Sequence, residues 1–381
     1  MRDFFLSLQR ITSSDRYIPE IDGLRFVAIL SVVLYHISAF LAVKSVGVWV
    51  DPTAKSYLVN YLDLGHLGVQ LFFAISGFIL SYPFISYYLN GGQKPNIKRY
   101  FTRRVTRLEP PYIVSILVFA LILYLFNRYP LREILLSSLA SLTYCHNIIN
   151  PQSLPWINFV LWSLEIEVQF YILTPLLVMV YRFGRPVRIV AFLLITTTLF
   201  YYNTHFAFQY ISILNFLPYF LIGFILAELY LLKHLTRIPN LLAYILTTLS
   251  FSAIWITETL ECKSIMTPFM AMYIQLVMIL TFYYFVLFNR NIKQLFSNKT
   301  ITIIGGMCYS IYLLHYGIIS FFGNPLVRYL PLTNSYFINF WIYTTLLLIP
   351  ITGISILYYK FIEQPCMERD WYKKLYARII K

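Results

Sequence analysis

Apolar residues in this chain gather into ten blocks, at 24–43, 65–89, 108–126, 157–181, 187–202, 208–232, 239–257, 265–288, 301–322 and 337–360. Most approach the roughly 20 residues with which a helix crosses a hydrocarbon core about 30 Å thick. A helix satisfies its own backbone hydrogen bonds, and lipid offers no substitute, so each block predicts a transmembrane helix. One further stretch, REILLSSLASLTYCHNIINPQSLPW, is partly apolar but short, and reads as an interfacial or re-entrant piece. The pattern predicts an all-α polytopic membrane protein of about ten transmembrane helices, with a leader over 1–20, a membrane domain over 21–365 and a basic tail over 366–381. The leader is polar and does not resemble a cleavable signal peptide, and the gaps are too short to hold an appended soluble domain.

Composition and charge sharpen this picture. Hydrophobic residues make up 59% of the 381 and charged residues only 12%, against about 25% charged in an average soluble protein. A formal net charge of +14 raises the question of nucleic acid or other anionic partners. Location answers it. With the N-terminus inside and ten spans, 23 of the 30 Lys and Arg residues fall in inside segments, six fall outside, and Arg25 lies within the first block. This asymmetry marks membrane topology, with both termini cytoplasmic, and argues against a nucleic-acid surface. Cys145, Cys262, Cys308 and Cys366 are scattered, which gives neither a disulfide framework nor a zinc site.

Ionisable residues inside the blocks are costly and so point to function. In GLRFVAILSVVLYHI, Arg25 and His36 are eleven positions apart, which returns them to one helix face about 16.5 Å apart along the axis. Asp22 sits three residues before Arg25, close enough to orient it. The structural alternative is a snorkelling arginine with a histidine bonded between helices. WSLEIEVQFY places Glu165 and Glu167 in the fourth block, about 200° apart on a helix. Trp162, Glu165 and Gln169 share one face, Ser163, Glu167 and Tyr171 the other, and spacing alone does not choose between the carboxylates. NIKRYFTRRVTRLEPPY lies in a run with six basic residues from Lys94 to Arg107. Arg103 and Arg107 stack on one face of a turn, suited to gripping phosphates bidentately, with anionic lipid headgroups as the competing ligand. Pro110 and Pro111 are expected to disrupt the helix start there. GGMCYSIYLLHYG puts Tyr312 and His315 within the ninth block. Small residues Gly65, Gly68, Ser76 and Gly77 favour close helix approach, and His66 falls at the outer edge, as an interfacial residue.

Taken in order, EIDGLRFVAILSVVLYH, GVQLFFAISGFIL, RYFTRRVTRLEPPY, WSLEIEVQFYIL, YSIYLLH and FIEQP resemble the motifs of integral-membrane acyltransferase family 3. That family includes bacterial O-acetylases of lipopolysaccharide O-antigen, exopolysaccharide and peptidoglycan. The family's first-span arginine and histidine fall on Arg25 and His36, and its paired arginines before the third span fall on Arg104 and Arg107. Its Trp-Ser-Leu segment falls on Trp162, Ser163, Glu167, Gln169, Phe170 and Tyr171, and its ninth-span pair on Tyr312 and His315. Position 70 is Gln where many relatives are acidic. Many members also carry an extracytoplasmic SGNH esterase-like domain after the tenth span, which is expected to be lacking here.

The resemblance implies an acyl-CoA-dependent O-acyltransferase of the bacterial cytoplasmic (inner) membrane, most simply moving acetyl from acetyl-CoA to a hydroxyl of a cell-surface glycan. Acetyl-CoA is then a co-substrate, and no tightly bound cofactor or metal is expected. His36 acts as base or acyl carrier, Glu167 orients it, and Arg25 and His315 line the cavity. Arg103, Arg104 and Arg107, with Lys98, hold the donor phosphates. Asp22, Glu165, Trp162, Gln169 and Tyr312 complete the substrate site. The chain either finishes the transfer alone or hands the acyl group to a separate periplasmic partner. Alternatives are a small-molecule or lipid-linked glycan acceptor, or a transporter or flippase; the sequence lacks the two similar halves typical of transporters.

Overall fold

A computed structural model describes residues 7–11, 17–44, 61–151, 153–206, 211–233, 238–262, 264–368 and 371–373, and these are helical with no strand among them. In chain order the helices are α1 (Pro19–Lys44), α2 (Gly68–Asn90), α3 (Ile97–Leu125), α4 (Leu131–Leu142), α5 (His146–Ile149), α6 (Trp162–Leu177) and α7 (Arg185–His205). There follow α8 (Ile213–Leu231), α9 (Asn240–Cys262), α10 (Pro268–Phe288), α11 (Arg290–Phe296), α12 (Lys299–Gly306), α13 (Cys308–Tyr329), α14 (Tyr336–Tyr358) and α15 (Gln364–Met367). Among the described residues nine helices are long and apolar enough to cross a membrane, and α12 with α13, bent by 67°, makes a tenth. Every predicted block therefore has its helix. The interfacial stretch becomes α4 and α5, and α4, with 12 residues, rises only about 18 Å.

The chain is close-packed inside and apolar outside. Leu117, Leu121, Ile172, Leu176 and Leu249 are exposed on helix flanks, where lipid is their partner. Inside, α2 and α8 meet backbone to backbone: a Cβ on Gly77 would lie 2.0 Å from the Phe220 carbonyl oxygen, and one on Gly223 would lie 2.1 Å from the Phe78 nitrogen. This is the small-residue contact by which membrane helices gain dispersion energy.

Two irregularities shape the basic end of the bundle. Pro110 and Pro111 do not start α3; the helix begins at Ile97, capped by the Asn96 side chain on the Arg99 N–H, and runs through both prolines. Pro110 has no N–H for the carbonyl of Thr106, and the Trp371 indole donates to that carbonyl instead, at 2.9 Å. The second irregularity is the break at Met307, which exposes the first-turn amides of α13 inside the protein. Glu363, from the π-helical turn after α14, accepts from the Ser310 N–H at 3.0 Å and from the Ser310 hydroxyl. A carboxylate there satisfies an orphan donor and faces the positive end of the helix.

Residues 7–11 belong to this folded end. Leu8 is fully buried. Lys360 and Gln364 donate to the Ser7 carbonyl at 3.2 and 2.8 Å, and Gln364 also reaches the Gln9 carbonyl. At the opposite end, Ser38 of α1 bonds both Asp63 and Tyr336, tying the first, second and tenth spans together.

Candidate active site

The site is built where α1 meets α13. His36 and His315 face each other with ring centroids 5.1 Å apart, and Tyr316 stands edge-on to His36 at 5.2 Å. His315 is completely buried. Its Nδ1 lies 3.0 and 2.9 Å from the carbonyl oxygens of Ile311 and Tyr312. A carbonyl only accepts, so Nδ1 carries the hydrogen and Nε2 holds a lone pair. That Nε2 is buried and has no hydrogen-bond partner among the described residues. His36 is half-buried, and among the described residues its ring nitrogens bond no protein group.

The α6 motif divides its work. The Ser163 and Tyr312 hydroxyls are 2.6 Å apart, Tyr312 donates to the Val160 carbonyl at 3.0 Å, and the Asn158 amide donates to the Leu313 carbonyl at 2.7 Å. These bonds hold the histidine-bearing turn of α13 against the start of α6. The two carboxylates part company. Glu165, fully buried, accepts the backbone N–H groups of His146 and Asn147 at 3.1 and 2.9 Å. It closes the start of α5. Glu167 accepts from Ser76 of α2 at 2.7 Å, with Tyr171, Arg104 and Arg107 as its polar neighbours. No bond joins it to His36, the residue it was expected to orient. Gln169 accepts the Ile213 N–H at 2.8 Å and so caps α8, while Trp162 packs on Phe216.

The basic cluster is equally selective. Arg104 lies over the Tyr100 ring, 3.6 Å from its centroid, and donates to the Tyr100 carbonyl. Among the described residues Arg107 makes no hydrogen bond, and its Nε is buried. Arg103, expected to share a face with Arg107, is exposed on the outside of α3. Near Arg107 lies a second charged group: Asp22, buried, accepts from Arg25 at 2.6 Å and from Arg10 at 2.9 Å on the same oxygen. Tyr17 beside it is pushed above the ordinary phenol range by burial and by the Asp22 charge.

Sequence reasoning missed Arg10, which it counted as a topology charge, and also Ser76, Asn158 and Glu363 as contact makers. Glu363 had a signal, since it lies in FIEQP; Arg10 had none, because nothing in its neighbourhood fixes where the leader goes.

Fold and site together define a multi-pass membrane protein with a histidine pair in its interior and an arginine-lined end. The comparisons agree with that class and narrow it. Residues 18–360 match the family described as an acyltransferase domain, so the chain belongs to the integral-membrane acyltransferase family 3. O-acetyltransferase OatA of Staphylococcus aureus (strain NCTC 8325 / PS 47) is 30% identical over 194 residues, covering 48% of this chain and 28% of that protein. SACOL0978 of Staphylococcus aureus (strain COL) is 27% identical over 388 residues, covering 92% of this chain and 57% of that protein. Peptidoglycan O-acetyltransferase OatA of Listeria monocytogenes is 28% identical over 177 residues, covering 44% and 25%. The chain thus spans only part of the length of these relatives. No solved structure is a significant match.

Proposed function

We propose that this protein moves an acyl group, most simply acetyl, from acyl-CoA onto a hydroxyl of a cell-surface glycan. The observation that carries this reading is the His36–His315 pair, in which one imidazole has a fixed tautomer and a free, buried lone pair. The names of the Staphylococcus and Listeria relatives supply the acetyl group and the glycan as the class of acceptor.

The charge pattern directs the arginine-lined end to the cytoplasm, where acyl-CoA is found. Arg10, Arg25, Arg104 and Arg107 come from three separate segments, and three carboxylates, Asp22, Glu167 and Glu363, lie among them. Buried guanidinium groups in excess of their partners favour a bound anion, and guanidinium geometry suits phosphate. The pantetheine arm then carries the thioester toward the histidines.

There His36 accepts the proton of the glycan hydroxyl as its oxygen attacks the thioester carbonyl carbon. The carbon–sulfur bond breaks, and the departing thiolate takes a proton from the His36 imidazolium, leaving an O-acyl ester and free CoA. The two rings are not hydrogen-bonded in this structure; a ring N–H of His36 turned toward the His315 Nε2 lone pair would fix the His36 tautomer for this step. Tyr312, Ser163 and Asn158 position His315.

The test is CoA release and acetyl-ester formation by purified protein in nanodiscs, with acetyl-CoA and a polysaccharide acceptor. His36→Ala is expected to lower turnover by about two to four orders of magnitude, the range for a general base, without changing acetyl-CoA affinity. Turnover within threefold of wild type overturns the assignment. Acid-quenched protein incubated with acetyl-CoA alone should carry no acetyl group; an acetylated His36 instead makes the histidine a covalent carrier.

A further inference from the structure

At the end of the bundle opposite the arginines, a group of side chains has no part in the mechanism above. His66 pairs with Glu258 of α9, Nε2 to Oε2 at 3.1 Å, and its Nδ1 donates to the Asp63 carbonyl at 2.8 Å. Tyr61 and Trp255 bring their rings to 6.4 Å, and Tyr35 connects the group inward, with its ring 5.4 Å from His66 and 4.8 Å from His36.

An ion pair as exposed as His66 and Glu258, at 41% and 36%, stabilises a fold by only about 0–1 kcal/mol. It is a poor lock between helices and a good pair of hydrogen-bonding groups. Among the described residues, two buried polar atoms nearby lack partners. Trp255 is 2% exposed and its indole N–H meets no acceptor. Gln70, four residues beyond His66 in the first turn of α2, has a buried amide oxygen that meets no donor. A hydroxyl, which both donates and accepts, answers an orphan of each kind.

We propose that Tyr61, Trp255, His66 and Glu258 form a saccharide subsite that opens through Tyr35 onto His36, resting on the acyl-transfer reading for its place in the reaction. The exposed Tyr61 ring takes the C–H face of a pyranose ring, the carboxylate and imidazole bond its hydroxyls, and the Trp255 indole N–H supplies a donor. Glu258, with Glu261 within its electrostatic reach one turn on, disfavours an anionic lipid headgroup. A sugar held here directs a hydroxyl down the Tyr35 side toward the histidine pair.

The test is binding, without acyl donor, of chitotriose and maltotriose to the full chain in nanodiscs, by saturation-transfer NMR and titration calorimetry. Saturable binding is expected for at least one probe, weakened fivefold or more by Glu258→Gln and by Trp255→Phe. Trp341→Phe, at an exposed tryptophan of α14, should bind as wild type. Equal binding by all four proteins overturns the subsite, as does a wild type that binds acetyl-CoA but neither saccharide. Weakened binding matched by a lowered unfolding temperature reduces Glu258 to a structural tie and overturns it too. Saccharide binding by a wild type that never turns over acetyl-CoA refutes the acyl-transfer reading and leaves the subsite standing.

Discussion

Replacing Asp22 with Asn removes one negative charge from between two guanidinium groups and leaves the shape unchanged. The Asp22 side chain is 1% exposed, and those of Arg10 and Arg25 are 12% and 13% exposed, with both bonds on a single oxygen. Water therefore screens the loss weakly. An amide oxygen still accepts one of the two bonds at neutral strength, so one charge-assisted bond is lost and one is weakened, each worth about 1.5–3 kcal/mol. Removing one partner of a buried pair costs about 3–5 kcal/mol, because the surviving charges stay buried without compensation. The expected destabilisation of D22N is about 3 kcal/mol or more on that basis. The assay is urea unfolding in detergent micelles, with Arg10→Gln and the double variant completing a cycle. The double variant restores local charge balance and should be more stable than D22N alone, a coupling of about 0.5–3 kcal/mol for groups in contact. A loss below about 0.5 kcal/mol, the range of surface substitutions, or strictly additive losses, refutes the claim that Asp22 gathers these arginines.

Three other outcomes follow from single contacts. Glu165→Gln turns a donor toward one of the two backbone N–H groups it now accepts; a loss of about 1–3 kcal/mol and faster proteolysis near 143–158 are expected, and unchanged cleavage there refutes the capping role. Gly223→Ala drives a Cβ into α2 backbone, whereas Gly353 has nothing within 4 Å; the first variant should lose its monodisperse peak in size-exclusion chromatography and Gly353→Ala keep it. Arg107→Gln should weaken acetyl-CoA binding at least tenfold and flatten its salt dependence, and an unchanged affinity returns Arg107 to a topology role.

Much of the fold was legible because lipid leaves few choices. A run of about 20 apolar residues predicts a spanning helix with little regard to tertiary context, and all ten blocks proved helical. The break at Met307 was not legible, since Gly305, Gly306 and the residues around them read as one continuous span; the bend comes from packing, where a Cβ on Gly305 would lie 1.7 Å from the Asp22 carbonyl. At the site, period and spacing put Arg25 and His36 on one helix face and His315 within the ninth block. The two glutamates show the limit. Their spacing said that they look different ways, but only the return of the chain through His146 and Asn147 shows that Glu165 holds backbone amides. Likewise Arg103 and Arg104 are neighbours in sequence, and only packing against Tyr100 shows which of them turns inward.

The most direct test of the histidine pair is a double-mutant cycle on glycan-dependent kcat, with His36→Ala, His315→Ala and both together. Groups that act as one unit are far from additive. A pair in which His315 fixes the tautomer of His36 predicts a double variant no slower than His36→Ala alone. Losses that multiply, or a His315→Ala enzyme within twofold of wild type, contradict it.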